Sequence, residues 1–502
     1  MNEKLIQLAK RRGFLWPSFE IYGGVSGFID FGPLGTKILR KIEDLWRQIF
    51  IYPHDFIYEI STPIVMPEIV FEASGHLKHF TDIVLTCSSC KNKYRVDQVI
   101  EIDNIESWSL EEIEKYIKEN NIRCIECKGE FEKPSYFNLL MKTNIGPFST
   151  DVGYLRPEAA QGIFINFRRM YEIARRKLPF GIVQIGKVER NEIAPRKGLY
   201  RMREFTIIDF EMFYDPQEPN CNLIEKVYSK KIRILDAEAR YKNLGIKELS
   251  IEEALKNKII LSEWLAYFMY LSQEFLQKIG ISYEKQYFLE KLPGERAHYS
   301  SQTFDHMVIV NNEKIEVAGF ALRTDYDTKN HSIKSGVELK AERIKDGKVV
   351  EKFYPYVAEP SFGLERLLLC SLSIAYTEKD GRIILKLPSE IAPYHAAVLP
   401  LVSKDNIPET AYKIYEYLKE NGIDCIYDDT EYIGKAYAKY DEIGVPYCIT
   451  VDYQTLSDNT VTIRNRDDWR QIRVEVKNLV NVLNKLLRRE IKFEEAGILV
   501  KK

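Results

Sequence analysis

The sequence predicts an α+β protein of several domains: an antiparallel sheet with flanking helices, interrupted by two insertions and followed by a separate α/β domain. Three observations predict it. Ile182-Val183-Gln184-Ile185 and Phe205-Thr206-Ile207-Ile208-Asp209-Phe210 are strand-like runs on either side of a long basic loop punctuated by Pro195 and Gly198, the pattern of an antiparallel hairpin. Cys87, Cys90, Cys124 and Cys127 fall in two C-x-x-C pairs that bound a segment of their own. Beyond Leu387-Pro388-Ser389, strand and helix patterns alternate as far as Asp452.

With 502 residues, 45% of them hydrophobic, the chain has material for roughly three domains of about 100 to 200 residues. A net charge of −2 excludes a global positive field, although 72 Lys plus Arg leave room for local basic surfaces. No uninterrupted apolar run is long enough to span a bilayer, and Met1-Asn2-Glu3-Lys4 does not open a secretory signal, so the expected location is the cytoplasm.

In chain order, residues 1–85 begin the core. Glycine-dense strings, Tyr22-Gly23-Gly24-Val25-Ser26-Gly27 and Asp30-Phe31-Gly32-Pro33-Leu34-Gly35, precede an amphipathic helix over 36–50, with Ile38, Ile42, Leu45, Trp46 and Ile49 on one stripe, and a strand over 56–65. Residues 86–134 are the cysteine-bounded insertion, with a charged helix over 110–120. Residues 135–214 return to the sheet and carry the hairpin. The pattern over 215–300 predicts a mostly helical insertion, clearest at 227–241 and 261–279. Over 301–385 the expectation is strands at 303–318 and 349–359 and a helix at 363–376. Residues 386–502 form the last domain, with strands at 395–401, 424–427 and 446–452 and helices at 407–421 and 433–442.

The cysteine pairs carry the first chemical signal. Thiolates two residues apart reach one tetrahedral Zn²⁺ from a single knuckle, and a second knuckle closes the site, so Cys87, Cys90, Cys124 and Cys127 are candidate ligands of a structural zinc. Four ordinary reduced cysteines are the alternative, which paired spacing disfavours. Cys221, Cys370, Cys425 and Cys448 are isolated and read as packed core.

The hairpin carries the second. Arg190, Glu192, Arg201, Arg203, Glu204 and Asp209 gather both signs of charge at its base, equipment for holding a polyphosphate and a cationic amine together. By charge pattern alone, a surface hairpin laced with salt bridges reads equally well. The run Glu359-Pro360-Ser361-Phe362-Gly363-Leu364-Glu365-Arg366 weakens that alternative. A glycine at a strand-to-helix junction lets a ligand approach the backbone, and an arginine three residues on can bind phosphate and stack on a base.

Arg190-Asn191-Glu192 followed by Arg201-x-Arg203-Glu204-Phe205 resembles motif 2 of class II aminoacyl-tRNA synthetases, and Gly363-Leu364-Glu365-Arg366 resembles motif 3. The strings Ala73-Ser74-Gly75-His76, Arg156-Pro157-Glu158-Ala159-Ala160-Gln161-Gly162, Arg323-Thr324-Asp325-Tyr326-Asp327 and Asp441-Glu442-Ile443-Gly444-Val445-Pro446 narrow the resemblance to glycyl-tRNA synthetases of the homodimeric archaeal and eukaryotic type, over residues 11 to 476.

The resemblance implies a class II core, a C-terminal anticodon-binding domain, and ATP-dependent ligation of glycine to tRNA(Gly) through glycyl-adenylate, with Mg²⁺ accompanying ATP. It implies catalytic roles for Arg190, at the α-phosphate and the glycine carboxylate, and for Arg366, at adenine and the γ-phosphate. Glu192 would meet the adenine amino group and Phe205 would stack under the ring. Asn191, Arg201, Met202, Arg203, Glu204, Val317 and Gly363 would complete the nucleotide site, and Glu316 would hold Mg²⁺. Glu158, Asp209 and Glu359 would surround the glycine ammonium and Ser361 would fill the place of a substrate Cβ. Arg95 matches a position of substrate contact, with a zinc-ribbon surface arginine as its alternative.

Two positions depart from the family pattern: Asp209 stands where a glutamate is usual, and Leu322 where a polar residue is common. His298 reads as structural, since a carboxylate ionised at neutral pH needs no general base to attack. Tyr427, Tyr432, Tyr437, Arg464 and Arg466 are candidates for reading splayed tRNA bases. Two rivals remain: a synthetase-like subunit that binds nucleic acid without catalysis, which retention of Arg190, Glu192, Phe205, Glu316 and Arg366 disfavours, and an enzyme that activates another small amino acid.

Overall fold

A computed structural model describes residues 2–102, 105, 108–147, 151–193, 195 and 200–500. Gly198, expected in the hairpin turn, lies outside them.

Nine strands form the central sheet. In chain order they are β1 (Ile57–Glu59), β2 (Phe180–Glu189), β3 (Glu204–Tyr214), β4 (Lys231–Leu235), β5 (Lys247–Ser250), β6 (Gln286–Glu290), β7 (Gln302–Val310), β8 (Glu313–Thr324) and β9 (Tyr356–Gly363). Their spatial order is β5-β4-β6-β7-β8-β9-β3-β2-β1. Pairing is antiparallel except where β1 meets β2 and β4 meets β6.

Helices α1 (Pro33–Phe50), α2 (Glu263–Lys278) and α3 (Leu364–Ala375) close one core. The expected stripe of α1 is what it buries: Ile38, Ile42 and Trp46 are inaccessible, and Leu45 nearly so. Trp46 stacks on Phe50 with centroids 4.6 Å apart and meets Phe362 of β9 edge-on at 5.8 Å. That aromatic seam fixes the helix layer against the strand that carries Ser361. The helix starts three residues before its expected position because Pro33 is tolerated in a first turn, where its missing N–H has no partner to lose.

Three expectations change. Residues 215–300 carry the helices Ala237–Tyr241 and Ile251–Lys256 beside the long α2, but β4, β5 and β6 also come from this segment and widen the sheet. In Lys-Ile-Arg-Ile-Leu at 231–235, Ile232 and Ile234 are buried at a spacing of two, a strand period that a wider helical window hides. The strand expected at 303–318 is the hairpin β7–β8, turning at Asn311-Asn312, both at positive φ (50° and 67°) as a tight hairpin turn requires. The strand expected at 56–65 is confined to β1, and Val65–Pro67 joins a separate three-stranded sheet with Val152–Leu155 and Met141–Asn144.

Within the cysteine-bounded segment, the helix Leu110–Glu119 is opened by a capping box between Ser109 and Glu112. The last domain is a six-stranded mixed sheet with helices Ile407–Glu420 and Ile433–Glu442, close to expectation.

Candidate active site

The pleat of three adjacent strands builds the site. Side chains two residues apart share a face, so Phe205, Ile207 and Asp209 of β3 line up, opposite Val188, Gly186 and Gln184 of β2. On the other side Asp209 pairs with Ser361 of β9, and Ser361 with Gly319 of β8. A cavity of roughly 270 Å³ opens over this floor.

One end of the cavity is cationic, where Arg190, Arg201 and Arg366 line it. Arg190 Nε donates to Pro157 O at 3.1 Å, and its guanidinium lies 5.2 Å from the Phe205 ring centroid. Arg366 donates from Nε to Tyr200 O and from Nη1 to Glu316 O, each at 3.0 Å. Glu192, Met202, Phe205, Val317, Gly363 and Glu316 also line this end.

The other end is acidic and buried. Arg323, 1% exposed, bridges three carboxylates: Glu359 through a two-bond fork of 2.8 Å each, Asp327 at 3.1 Å and Glu158 at 3.2 Å. Its guanidinium also lies 3.8 Å from the Tyr299 ring centroid. Burial alone would raise Glu158; the Arg323 guanidinium, with His76 beside it, outweighs burial and holds the carboxyl well below the usual range. Glu359 is pushed up to about 7 by burial, with Asp209 and Glu158 close by and Arg323 opposing.

Asp209 accepts from Ser361 Oγ at 2.6 Å and from the backbone N–H groups of Ala159 and Ala160 at 2.6 and 3.1 Å. Burial and the charge of Glu158 raise its pKa. Glu211, two residues along the same face, is fully buried with neither carboxyl oxygen hydrogen-bonded, and burial drives its pKa far up.

A cavity with guanidinium groups at one end and carboxylates at the other suits a ligand pair of opposite polarity, polyphosphate and ammonium. Glu316, about half exposed and with Asp305 close enough to be raised by its charge, offers hard oxygen donors of the kind Mg²⁺ takes. The four cysteine sulfurs lie within 4.8 Å of one another, with Cys87–Cys127 at 3.4 Å and Cys90–Cys124 at 3.7 Å. Tetrahedral zinc with sulfur ligands at about 2.3 Å spaces them by about 3.8 Å, so the cluster fits the ion.

Comparison with known proteins decides the family. Residues 149–375 match the family described as tRNA synthetase class II core domain (G, H, P, S and T), and residues 395–486 match the anticodon binding domain. Glycine--tRNA ligase of Aeropyrum pernix is 40% identical, aligned over 99% of each chain. Those of Pyrococcus furiosus and Methanocaldococcus jannaschii are each 40% identical, over 97% of this chain and 99% of theirs. The chain belongs to the glycine--tRNA ligase family. A solved prolyl-tRNA synthetase from Cryptosporidium parvum, complexed with halofuginone and AMPPNP, shares the fold at a TM-score of 0.59 and 14% identity, over 97% of this chain and 77% of that one.

Within this glycine--tRNA ligase family member, four expected site residues do not line the cavity. Arg95 lies on the short strand Lys93–Arg95 and pairs with Asp82 and Asp97, which favours its alternative as a ribbon arginine. Arg203 directs its guanidinium to the carbonyls of Glu192 and Ser26, so it braces the cavity wall from behind. Asn191 donates its N–H to Leu139 O, and Glu204 is exposed opposite Glu189. The alternation of β3 turns Glu204 away from Phe205, which the bare string could not show.

Sequence reasoning missed Asp305, Tyr299 and Arg323 as parts of the site. Arg323 opens the string Arg323-Thr324-Asp325-Tyr326-Asp327, which carries the resemblance but assigns the arginine no role. Asp305 carried a weaker signal, the one carboxylate of its strand; burial and Glu316 push it up to about 7 while Lys291, 2.8 Å away, opposes them.

Leu322 is buried in the core, away from the cavity. His298 lies outside the cavity too, its Nε2 3.3 Å from Ser74 O. Two of the candidate base readers are structural: Arg464 is buried in a two-bond pair with Asp441, and Arg466 is buried against the carbonyls of Leu387 and Gly444. Tyr432 stays exposed. Among the described residues no helix is long and apolar enough to cross a membrane.

Proposed function

We propose that this chain is a glycine--tRNA ligase: it joins glycine to ATP with release of pyrophosphate, then transfers glycine from glycyl-adenylate to tRNA(Gly) with release of AMP. The observation that carries this reading is the single cavity with Arg190 and Arg366 at one end and the Arg323-bridged pair Glu158 and Glu359 at the other.

A glycine carboxylate oxygen attacks the α-phosphorus, forming the mixed anhydride as the bond to pyrophosphate breaks. The carboxylate is ionised at neutral pH, so no proton is removed. Arg190 stabilises the charge that develops between carboxylate and phosphate, and Arg366 takes the far phosphate while its plane covers adenine. Phe205 stacks under adenine and Glu192 accepts from its amino group. Mg²⁺ bound with ATP at Glu316 would neutralise phosphate charge. Glu158 and Glu359 receive the ammonium, and Ser361 fills the wall against a larger side chain; filling is required because one methyl in a roomy pocket changes binding by only about 1 to 3 kcal/mol.

Zinc at the four cysteines has a structural role in the 86–134 insertion, residues 386–502 read the tRNA anticodon, and the working enzyme is a homodimer. Its place is the cytoplasm, where ATP, glycine and tRNA meet. The test is amino-acid-dependent ATP–pyrophosphate exchange with glycine, alanine and serine side by side. Exchange with glycine alone is expected; exchange with alanine or serine at comparable kcat/KM, or none with glycine, refutes the reading.

A further inference from the structure

We propose that Asp209 is a positioning residue that fixes the direction of the Ser361 hydroxyl, so that Ser361 Oγ turns its lone pairs, and not its proton, toward the amino acid. The proposal rests on the functional reading above and assigns the position where this chain carries the shorter acidic side chain.

The carboxylate of Asp209 has little capacity left. It is 1% exposed, and three donors from two other chain segments converge on it: Ser361 Oγ on one oxygen, and the N–H groups of Ala159 and Ala160 on the other. Those N–H groups belong to the turn that follows Glu158, so one side chain ties β3, β9 and the Glu158 segment together.

A carboxylate only accepts hydrogen bonds. Ser361, 2.6 Å away, must therefore donate to it, and a hydroxyl that spends its one proton in this way keeps only acceptor capacity for its remaining neighbours. Ser361 lines the cavity between Glu359 and Gly363. An ammonium group entering there carries only donors and meets an acceptor; were the hydroxyl reversed, donor would face donor. Asp209 thus acts on the ammonium through Ser361, while Glu158 and Glu359, held by Arg323, supply the opposing charge.

Asp209→Asn tests this. The backbone N–H groups of Ala159 and Ala160 demand the amide oxygen, so the amide NH₂ faces Ser361 and reverses its hydrogen bond. In glycine-dependent ATP–pyrophosphate exchange, Asp209→Asn is expected to raise the KM for glycine by about tenfold with the KM for ATP within about twofold, and Ser361→Ala to do the same. Since both remove one interaction, the double variant should lie within about threefold of Ser361→Ala alone. Multiplying effects, or an unchanged glycine KM in Asp209→Asn, overturn the proposal.

Asp209→Glu is the second arm, free of a buried amide. It keeps an acceptor-only group, so its glycine KM should rise by less than about threefold; a rise as large as that of Asp209→Asn at an unchanged melting temperature overturns the proposal. Wild-type protein without glycine-dependent exchange would refute the functional reading instead, which separates the two failures.

Discussion

Arg323 closes on Glu359 through two parallel hydrogen bonds, Nε to Oε2 and Nη2 to Oε1, both 2.8 Å and both buried. The same guanidinium reaches Glu158 and Asp327, so three buried carboxylates depend on one cation.

Arg323→Met leaves these carboxylates buried and uncompensated. It is expected to lower unfolding stability by about 3–5 kcal/mol, measured by urea denaturation. Arg323→Lys should recover only part of this, because a point charge cannot make the fork. A loss under about 1 kcal/mol in Arg323→Met would show that the cluster is not held this way.

Arg190 is different in kind. Its side chain donates a hydrogen bond to Pro157 O, and it is only partly buried. Arg190→Ala should slow glycine-dependent exchange by about 10²–10³ while the melting curve stays near wild type. Near-normal exchange would remove Arg190 from the reaction.

For the cysteine cluster, metal analysis of wild type should give about one zinc per chain, and Cys124→Ser less, with a lower melting temperature. Cys124 is buried beside Cys87 and Tyr94, so a metal bound at the four sulfurs would hold that small core together. Equal zinc content in wild type and variant counts against the site, and the preference for glycine over alanine should not change.

Glu211 gives a pH dependence whose sign follows from its burial. Its folded pKa lies well above its ordinary value of 4.5, so the folded state holds a proton that the unfolded state releases. The penalty is absent below pH 4.5 and grows as pH rises toward the folded value. Relative to Glu211→Gln, wild type should lose about 1.4 kcal/mol of stability per pH unit over that window. Parallel stability–pH curves for the two proteins would show that Glu211 ionises equally in both states.

In the last domain, Arg464→Ala removes the partner of buried Asp441 and should cost about 3–5 kcal/mol. Tyr432 is 66% exposed, so Tyr432→Ala should leave the melting temperature unchanged while weakening tRNA binding by about 1–3 kcal/mol if a base stacks there. Unchanged tRNA affinity in Tyr432→Ala removes it from the contact surface.

The division between what was legible in the chain and what was not follows from the range of the interactions involved. Local patterns were readable because neighbours in sequence create them. The stripe of Ile38, Ile42 and Trp46 implied its helix, the C-x-x-C pairs implied a four-sulfur cluster, and the motif strings implied the family and most of the cavity lining. Where two periods overlapped, as at 227–241, the local reading failed, because pairing of β4 with β5 and β6 decided the outcome.

By itself, then, the sequence determined which chemical groups the site contains: guanidinium, carboxylate, hydroxyl and aromatic ring in a recognisable order. Only the tertiary structure decided what each group is free to do. Arg203, Arg464 and Arg466 read as ligand-binding arginines, yet their donors are satisfied by carbonyls and a carboxylate from distant segments. Arg323 had no assigned role, yet it is the cation on which the acidic end depends. Asp209 read as a contact, yet its oxygens are engaged by Ser361, Ala159 and Ala160. The physical reason is that hydrogen-bond capacity and burial are set by residues far apart in sequence, and a side chain's partners, more than its type, decide whether it meets a ligand or holds the protein.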